Sequence, residues 1–215
     1  DSRCMRGTML SDVDGDGVCE VAAVSFGGRV YLWKINGEPV EGWPVDLGGV
    51  PVSAPVLIEH DGTASILVSS SKGKIFLLSP DGKVRDNWPV LLPHRIAATT
   101  FDCRLVQAVD LEGSATREIL YYSIRETKLY AWKTSGEECR GFPLKIGTKT
   151  GRGLAVDDPD DPMYIAIAKK EEIMLLDIEG RLICDVSPES GDSFFTAPHF
   201  VSSTGRDGER ADLLV

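Results

Sequence analysis

The sequence predicts an all-β protein built from a repeated unit of four short strands. The first observation is that four segments of the 215-residue chain align without gaps in their central parts. In each segment the first apolar residue lies seven positions before a glycine, and in three of them an aromatic–proline pair begins six positions after that glycine. The aligned segments are "RVYLWKINGEPVEGWPV", "KIFLLSPDGKVRDNWPV", "KLYAWKTSGEECRGFPL" and "EIMLLDIEGRLICDVSP".

The second observation is the length and patterning of the repeat. The aligned glycines are Gly37, Gly82, Gly136 and Gly180, which recur every 44 to 54 residues, close to the roughly 40–50 residues of a four-stranded blade. The third strand of each unit is continuously apolar ("VYLW", "IFLL", "LYAW", "IMLL"), which indicates that both of its faces are covered. We therefore predict a β-propeller of four-stranded antiparallel blades, with a β-sandwich of irregular strands as the alternative.

The elements of a blade are clearest in the second unit. Strand A reads "APVLIEH", strand B "SILVSS", strand C "KIFLLS" and strand D "WPVLL", and the turn signals "HDG", "SKG" and "PDG" separate them. Strand D begins with proline, which cannot donate to a ladder and belongs on an edge. The expected blades span approximately residues 8–52, 53–98, 99–152 and 153–194, followed by a partial blade at 195–215.

The partial fifth blade, "TAPHFVSSTGRDGERADLLV", supplies only strands A and B. An open strand B leaves backbone donors and acceptors available for pairing. We therefore expect the chain to be part of a larger propeller of roughly six to eight blades. Alone, it is expected to form an open arc or to self-associate through its open blade edges, and a closed ring of five blades is the alternative.

Composition and charge exclude several classes of function. The formal net charge is −10, with 33 acidic and 23 basic residues and no run of Lys or Arg. We expect no nucleic-acid partner, because such a surface needs a basic stripe. No apolar stretch approaches the ~20 residues of a membrane span, and the opening "DSRCMRG" does not have the pattern of a signal peptide. The five cysteines are an odd number and form no CxxC motif, so the usual zinc and redox signals are missing.

The stretch "DVDGDGVCE" in the first unit places acidic residues at alternating positions. Asp12, Asp14 and Asp16 occupy positions one, three and five, the Val18 carbonyl position seven, and Glu20 position nine. Calcium takes six to eight oxygen ligands, and short loops supply them from alternate residues. A bound divalent cation would offset the repulsion among these carboxylates. The stretch therefore predicts a Ca²⁺ site.

This loop differs from an EF-hand. An EF-hand needs a bidentate Glu at position twelve and flanking helices, whereas position twelve is Ala23 and "EVAAVSF" is strand-like. We therefore expect a short calcium loop between two strands. The alternative is a polar A–B hairpin turn, in which Asp and Gly are also common.

The third unit carries a weaker version of the loop, "DLEGSATRE". Asp110, Glu112, Ser114 and Glu118 occupy positions one, three, five and nine, so that a serine replaces the acid at position five. We treat these residues as a weaker second metal site. The fourth unit has "DDPDDPMY" at this place, and its prolines change the turn, so a solvated loop is expected.

The acidic loop on a blade period resembles the FG-GAP or VCBS-type repeat, which builds the β-propeller of integrin α subunits and of many bacterial surface proteins. The "GWP" pattern is also similar to pyrroloquinoline-quinone-type propeller repeats. The nearest match to the FG-GAP dipeptides is "SFGG" at residues 25–28. The resemblance implies calcium bound between the first two strands of a blade, here by Asp12, Asp14, Asp16, the Val18 carbonyl and Glu20.

No catalytic residue stands out. The three histidines, His60, His94 and His199, are dispersed, and neither GxSxG nor HExxH is present. We therefore expect a non-catalytic module that binds a protein or glycan on a loop face. It would belong to a larger extracellular, cell-surface or periplasmic protein. The alternatives are a propeller enzyme, such as a polysaccharide lyase or quinone-dependent dehydrogenase, and an intracellular scaffold propeller.

Overall fold

The computed structural model of the chain describes most of its residues. Within them there is no helix, and the strands form five antiparallel sheets. Only the backbone is described for residues 4–6, 60, 199–201 and 212–214. The described ranges are 4–60, 62–96, 106–114, 116–147, 153–158, 162, 164–168, 172–187, 199–201 and 212–214.

The chain divides into two compact units, and the first comprises residues 1–103 and 134–137. It contains two four-stranded sheets in which consecutive strands are neighbours. Strand β1 begins at Cys4, before the expected start near residue 8, and its register shifts between Cys4 and Thr8. The strands are β1 (Cys4–Ser11), β2 (Glu20–Ser25), β3 (Arg29–Lys34), β4 (Val45–Asp46), β5 (Val56–His60), β6 (Thr63–Ser70), β7 (Lys74–Leu78) and β8 (Val90–Leu91).

The second unit comprises residues 104–133 and 138–215. It repeats the same arrangement in two further four-stranded sheets and adds a two-stranded sheet. The four four-stranded sheets confirm the predicted repeat of four-strand units. The strands are β9 (Val106–Val109), β10 (Glu118–Ser123), β11 (Lys128–Trp132), β12 (Leu144–Lys145), β13 (Gly153–Val156), β14 (Tyr164–Ala168), β15 (Ile173–Asp177), β16 (Leu182–Val186), β17 (His199–Val201) and β18 (Asp212–Leu214).

The repeated glycine has a structural role in the turn that follows the third strand of each sheet. In the first turn the Gly37 N–H donates to the Lys34 carbonyl at 2.8 Å, and the Lys34 N–H donates to the Glu38 carbonyl at 2.8 Å. This pattern is a three-residue hairpin loop with its last residue in the left-handed region. All four aligned glycines have φ between 78° and 88°. A residue without Cβ adopts this conformation without strain.

The core of the first unit lies where its two sheets pack together. Val24 and Leu32 from the first sheet and Ile66 and Phe76 from the second belong to one buried cluster. The expectation that the third strand is covered on both faces holds for β7 and β11, which are buried beyond their first residue. In contrast, β3 and β15 keep half-exposed residues at alternate positions.

The aromatic–proline pairs mark a repeated contact, which we call the indole clasp. The indole N–H of Trp43 donates to the Pro80 carbonyl at 2.8 Å, and that of Trp88 donates to the Thr134 carbonyl at 2.8 Å. Both tryptophans are buried. In each case the acceptor lies two residues before the repeat glycine of the next copy. The clasp therefore fastens the end of one blade to the C–D turn of the following one.

The peptide bonds before the prolines are cis at Trp43–Pro44, Trp88–Pro89 and Phe142–Pro143. Strands β4, β8 and β12, which follow these bonds, are two residues long. The fourth copy lacks the pair, and its last strand β16 is five residues long and exposed throughout. Because proline has no N–H to donate, its absence leaves a longer stretch able to pair with β15.

Candidate metal site

Strand pairing brings the two ends of the acidic loop together. The loop spans residues 12–19, between the end of β1 and the start of β2. Ser11 pairs with Glu20 across these strands, so Asp12 leaves β1 beside the first residue of β2. Positions one and nine of the sequence pattern are therefore adjacent in space because the hairpin register requires it.

The loop is folded around two of its carboxylates. Asp12 accepts from the Gly15 N–H through Oδ1 at 2.8 Å and from the Gly17 N–H through Oδ2 at 2.9 Å. Glu20 is 3% exposed, and its Oε2 accepts from the Val13 N–H at 2.8 Å. Loop backbone donors thus orient both carboxylates, so the site is formed by the local sequence itself.

Carboxylate oxygens of Asp12, Asp14 and Glu20 all lie within 4.8 Å of one another. A calcium ion holds its oxygen ligands at about 2.3–2.6 Å, so ligands on opposite sides of it are about 5 Å apart. The three oxygens therefore fit around one such ion. Each carboxylate oxygen also has a second lone pair, so the hydrogen bonds to the backbone do not exclude coordination.

The other predicted ligands of this loop are placed differently. Asp16 is not one of the acids that gather within 4.8 Å. Its Oδ1 accepts from the Val18 N–H at 2.7 Å, while its own N–H donates to Asp14 Oδ1 at 3.1 Å. These are Asx turns, in which the side chain substitutes for a backbone acceptor. The structure thus brings together Asp12, Asp14 and Glu20 of the five predicted positions.

The loop of the third blade shares the backbone pattern of the first. Glu118 is 3% exposed and its Oε2 accepts from the Leu111 N–H at 2.8 Å, as Glu20 does in the first loop. Asp110 is also buried, and its Oδ1 accepts from the Ser114 N–H at 2.9 Å. Positions one and nine of this sequence pattern therefore take up comparable roles in the two loops.

The acid at position three is what distinguishes the two loops. The Glu112 carboxylate lies 3.2 Å from the Lys133 ammonium at the surface. Among the described residues, no group of three ligand atoms within 4.8 Å forms in this loop. Burial raises the pKa of Glu118, and the charges of Glu112 and Asp110 raise it further. In this loop the acid at position three, Glu112, pairs with a lysine. In the first loop the acid at that position, Asp14, lies with the other two acids instead.

A groove of about 370 Å³ borders the acidic loop of the first blade. Its walls come from that loop and from the second blade, and include Asp12, Asp14 and Arg85. The Arg85 guanidinium is held by Thr63 Oγ1 at 2.8 Å and Ser65 Oγ at 3.1 Å. Sequence analysis did not identify Arg85, because nothing in the acidic motif indicates which neighbouring copy lies beside it.

The C–D turn of the second blade forms another wall of the same groove. Asp81 accepts a short hydrogen bond from the Ser79 hydroxyl, and its carboxylate lies 2.6 Å from the Lys83 ammonium. The hydrogen bonds from Lys83 and Ser79 lower the pKa of Asp81 to about 2. This wall of the groove therefore carries an ionised carboxylate that is paired with Lys83.

Two tryptophans on third strands stack on a tyrosine of the same strand, and two of the three histidines have side chains outside the described residues. Trp33 stacks on Tyr31 with ring centroids 5.1 Å apart, and Trp132 stacks on Tyr130 at 5.4 Å. Each pair lies on one face of a single strand, so these rings pack along their own blade. Of the histidines, the side chains of His60 and His199 lie outside the described residues.

Comparison with known proteins identifies the fold. No protein-family model matches the chain, and no curated protein matches it. Among solved structures, BBS1N in complex with ARL6DN, soaked with mercury, matches with a TM-score of 0.63 at 12% identity, covering 99% of this chain and 76% of that one. The lead-soaked crystal of the same complex matches with a TM-score of 0.59 at 14% identity, covering 99% and 74%.

BamB from Moraxella catarrhalis is a further neighbour, with a TM-score of 0.58 at 19% identity, covering 89% of this chain and 57% of that one. These neighbours are β-propellers, so the predicted fold class is confirmed. In all, 533 solved chains match. Because proteins of many functions share one fold, the fold alone does not indicate what this chain does. Among the described residues, no helix has the length and apolarity that a membrane span requires.

Proposed function

We propose that this chain is a calcium-binding β-propeller module of the FG-GAP or VCBS type that binds a protein partner. The observation that carries the proposal is the cluster of Asp12, Asp14 and Glu20 oxygens within 4.8 Å of one another. Calcium would neutralise the three carboxylates and fix the A–B loop of the first blade. A fixed loop presents a defined surface, which lowers the ordering cost of binding.

Hard carboxylate oxygens favour calcium or magnesium over softer transition metals. Magnesium demands near-ideal octahedral geometry and gives up its waters reluctantly, whereas calcium tolerates the irregular ligand set of a short loop. Asp14 is exposed while Glu20 is buried, so the site has an open side for entry and for bound water. Calcium is therefore the cation that suits the site best.

A protein is the partner class that the comparisons favour. The BBS1N neighbours were crystallised in complex with another protein, ARL6DN. A glycan ligand is the alternative class, and the test separates the two. Repeat propellers expose loops from several blades on one face, which suits recognition of an extended partner surface.

The expected calcium affinity bears on location. Sites of extracellular modules bind calcium with a Kd of about 10⁻⁴–10⁻³ M, and a loop with three gathered carboxylates belongs in this range. Such a site fills only where free calcium is near millimolar. We propose that the module belongs to an extracellular, cell-surface or periplasmic protein, where free calcium reaches this concentration.

Titration calorimetry on chelator-treated protein tests the calcium site. We expect one site with a sub-millimolar to millimolar Kd and a calcium-dependent rise in Tm. Both should be smaller in Asp14→Asn, which keeps the shape of the side chain and one ligand oxygen but removes its charge. Asp46→Asn is the matched control, because Asp46 caps the Gly48 N–H at 2.8 Å outside the loop. Absence of calcium binding, or equal binding by Asp14→Asn, would refute the assignment.

Partner class is tested by capture. The immobilised module is exposed with and without calcium to a protein library and to a glycan array. Calcium-dependent capture of a protein supports the proposal. Selective binding to glycans, with no protein captured, would replace it with a lectin role.

A further inference from the structure

The contact between consecutive blades follows one rule in the first two cases. The aromatic residue six positions after a repeat glycine donates its indole N–H to the carbonyl two positions before the next repeat glycine. Trp43 binds the Pro80 carbonyl and Trp88 binds the Thr134 carbonyl, both at 2.8 Å. We call the region where two consecutive blades meet in this way a joint, and we number the joints in chain order. The indole clasp lies in the first two joints.

The third joint departs from this rule. Its aromatic residue is Phe142, which has no N–H, and the equivalent acceptor is the carbonyl of Ile178, two positions before Gly180. The blades still approach closely here, because a Cβ added to Gly180 would lie 2.6 Å from Leu144 Cδ1. In the first joint a Cβ on Gly82 would likewise lie 2.5 Å from the Gly42 carbonyl oxygen. Consecutive copies therefore approach closely at both joints, although the atom met is a side-chain carbon at the third joint and a backbone oxygen at the first.

A groove of about 310 Å³ lies at the third joint. Phe142 and Ile178, the two residues that would have formed the clasp, both line it, and apolar side chains of Leu111 and Leu144 and the buried Cys139 complete its floor. The groove beside the first joint shares four of these repeat positions, occupied there by Val13, Asp14, Pro80 and Asp81, but it does not include Trp43. Of these two grooves, the one at the third joint reaches the position of the aromatic residue.

We propose that the third joint binds the indole ring of a tryptophan side chain presented by a partner polypeptide. The ring would pack on Phe142 and Leu144, and its N–H would donate to the Ile178 carbonyl, as Trp43 and Trp88 do within their own joints. The tryptophan of the partner would then make, at the third joint, the hydrogen bond that the chain's own tryptophans make at the first two joints.

Size and charge agree with this occupant. A volume of about 310 Å³ is at the lower end of ligand sites, which span roughly 300–1,000 Å³, and suits one aromatic side chain. At the rim Glu112 is paired with Lys133 at 3.2 Å, and Glu179 and Arg140 carry opposite charges. Because the charges at the rim of the groove offset one another, binding would depend on the shape of the ring and on the one carbonyl acceptor. We therefore expect it to depend little on salt.

This inference rests on the proposed function only for its biological use, since a partner-binding module is what would employ such a site. The groove involves none of the three gathered carboxylates of the calcium loop. Its test can therefore be run in chelator, where failure of the calcium assignment has no effect on the result.

The test uses N-acetyltryptophanamide as the probe and N-acetylphenylalaninamide as the control, with the full chain observed by ¹H–¹⁵N NMR. We expect millimolar binding of the probe, with shifts at the amides of Gly141, Phe142 and Glu179, unchanged by calcium or by 0.5 M salt. The control, which lacks the donor, should bind about three- to tenfold more weakly. No shifts at these amides, or equal affinity for both compounds, would overturn the proposal.

Two substitutions at the third joint test the proposal. Phe142→Trp should place an indole N–H of the chain itself at the Ile178 carbonyl, raise Tm and abolish probe binding. Leu144→Asn, which has a similar size and is polar, should weaken probe binding because the ring loses an apolar surface. Probe binding that survives in folded Phe142→Trp would overturn the proposal. If that variant does not fold, unchanged probe binding by Leu144→Asn would overturn it.

Discussion

The close approach of blades at the repeat glycine makes a quantitative prediction about two equivalent positions. Gly37 and Gly82 occupy the same place in the repeat and have φ of 88° and 78°. A Cβ added to Gly37 has no heavy atom within 4 Å, whereas a Cβ on Gly82 would lie 2.5 Å from the Gly42 carbonyl oxygen. Alanine at Gly37 therefore reports the turn alone, and alanine at Gly82 reports the turn plus the packing of one blade on the next.

The magnitudes follow from these two terms. A left-handed conformation costs an alanine about 1–2 kcal/mol, and the loss of freedom in the unfolded chain returns about 0.4–1 kcal/mol. Gly37→Ala should therefore lower the free energy of unfolding by about 1 kcal/mol. Gly82→Ala should lose a further ~1–3 kcal/mol, because a backbone carbonyl must move to admit the methyl group.

Urea unfolding followed by tryptophan fluorescence measures the difference, since Trp33, Trp43 and Trp88 lie in the first unit. With a slope of about 2 kcal/mol/M, the midpoint of Gly82→Ala should lie about 0.5–1.5 M below that of Gly37→Ala. Equal midpoints would mean that Gly82 does not pack against the preceding blade, and the stacking of consecutive copies would then be wrong.

Three further predictions concern other parts of the chain. Trp43→Phe should lower the free energy of unfolding by about 1 kcal/mol, because the Pro80 carbonyl loses its donor; Trp33→Phe, outside the clasp, is the control in thermal melts, and an equal loss in both would contradict the clasp. In NMR titrations the Asp81 carboxyl should have a midpoint near 2, so that its contribution to stability is complete above the ordinary value of 3.8 and is lost as pH falls through about 2; Lys83→Met should move the midpoint upward, and an unchanged midpoint would refute the stated cause. The isolated chain should not turn over an acidic polysaccharide, nor an alcohol with added quinone, and measured turnover of either substrate would overturn the non-catalytic assignment.

The fold could be predicted from the sequence because the repeat encodes each blade with local signals. A glycine at the C–D turn and an apolar third strand occur in all four copies, and a proline at the start of the last strand occurs in three of them. The longer and exposed β16 was harder to foresee. The fourth copy loses its aromatic–proline pair at Val186 and Ser187, but that loss alone does not show how far strand pairing extends.

The candidate site could be predicted only in part. The alternation of acids in the first loop indicated five ligands, of which the structure gathers Asp12, Asp14 and Glu20. Asp16 forms an Asx turn with Val18, a local competition that spacing does not reveal. The grooves at the blade joints could not be predicted, because their walls come from different copies of the repeat. The replacement of tryptophan by Phe142 was visible in the alignment, but its meaning required the clasp geometry of the other two joints.

A crystal structure of the chain grown with 5 mM calcium chloride, with an anomalous difference map, tests the central claim most directly. The account predicts one calcium ion in the first loop at about 2.3–2.6 Å from carboxylate oxygens of Asp12, Asp14 and Glu20. The loop backbone should keep the Val13 and Gly17 hydrogen bonds. An ordered loop without anomalous density at this position, or with the three carboxylates turned apart, would contradict it.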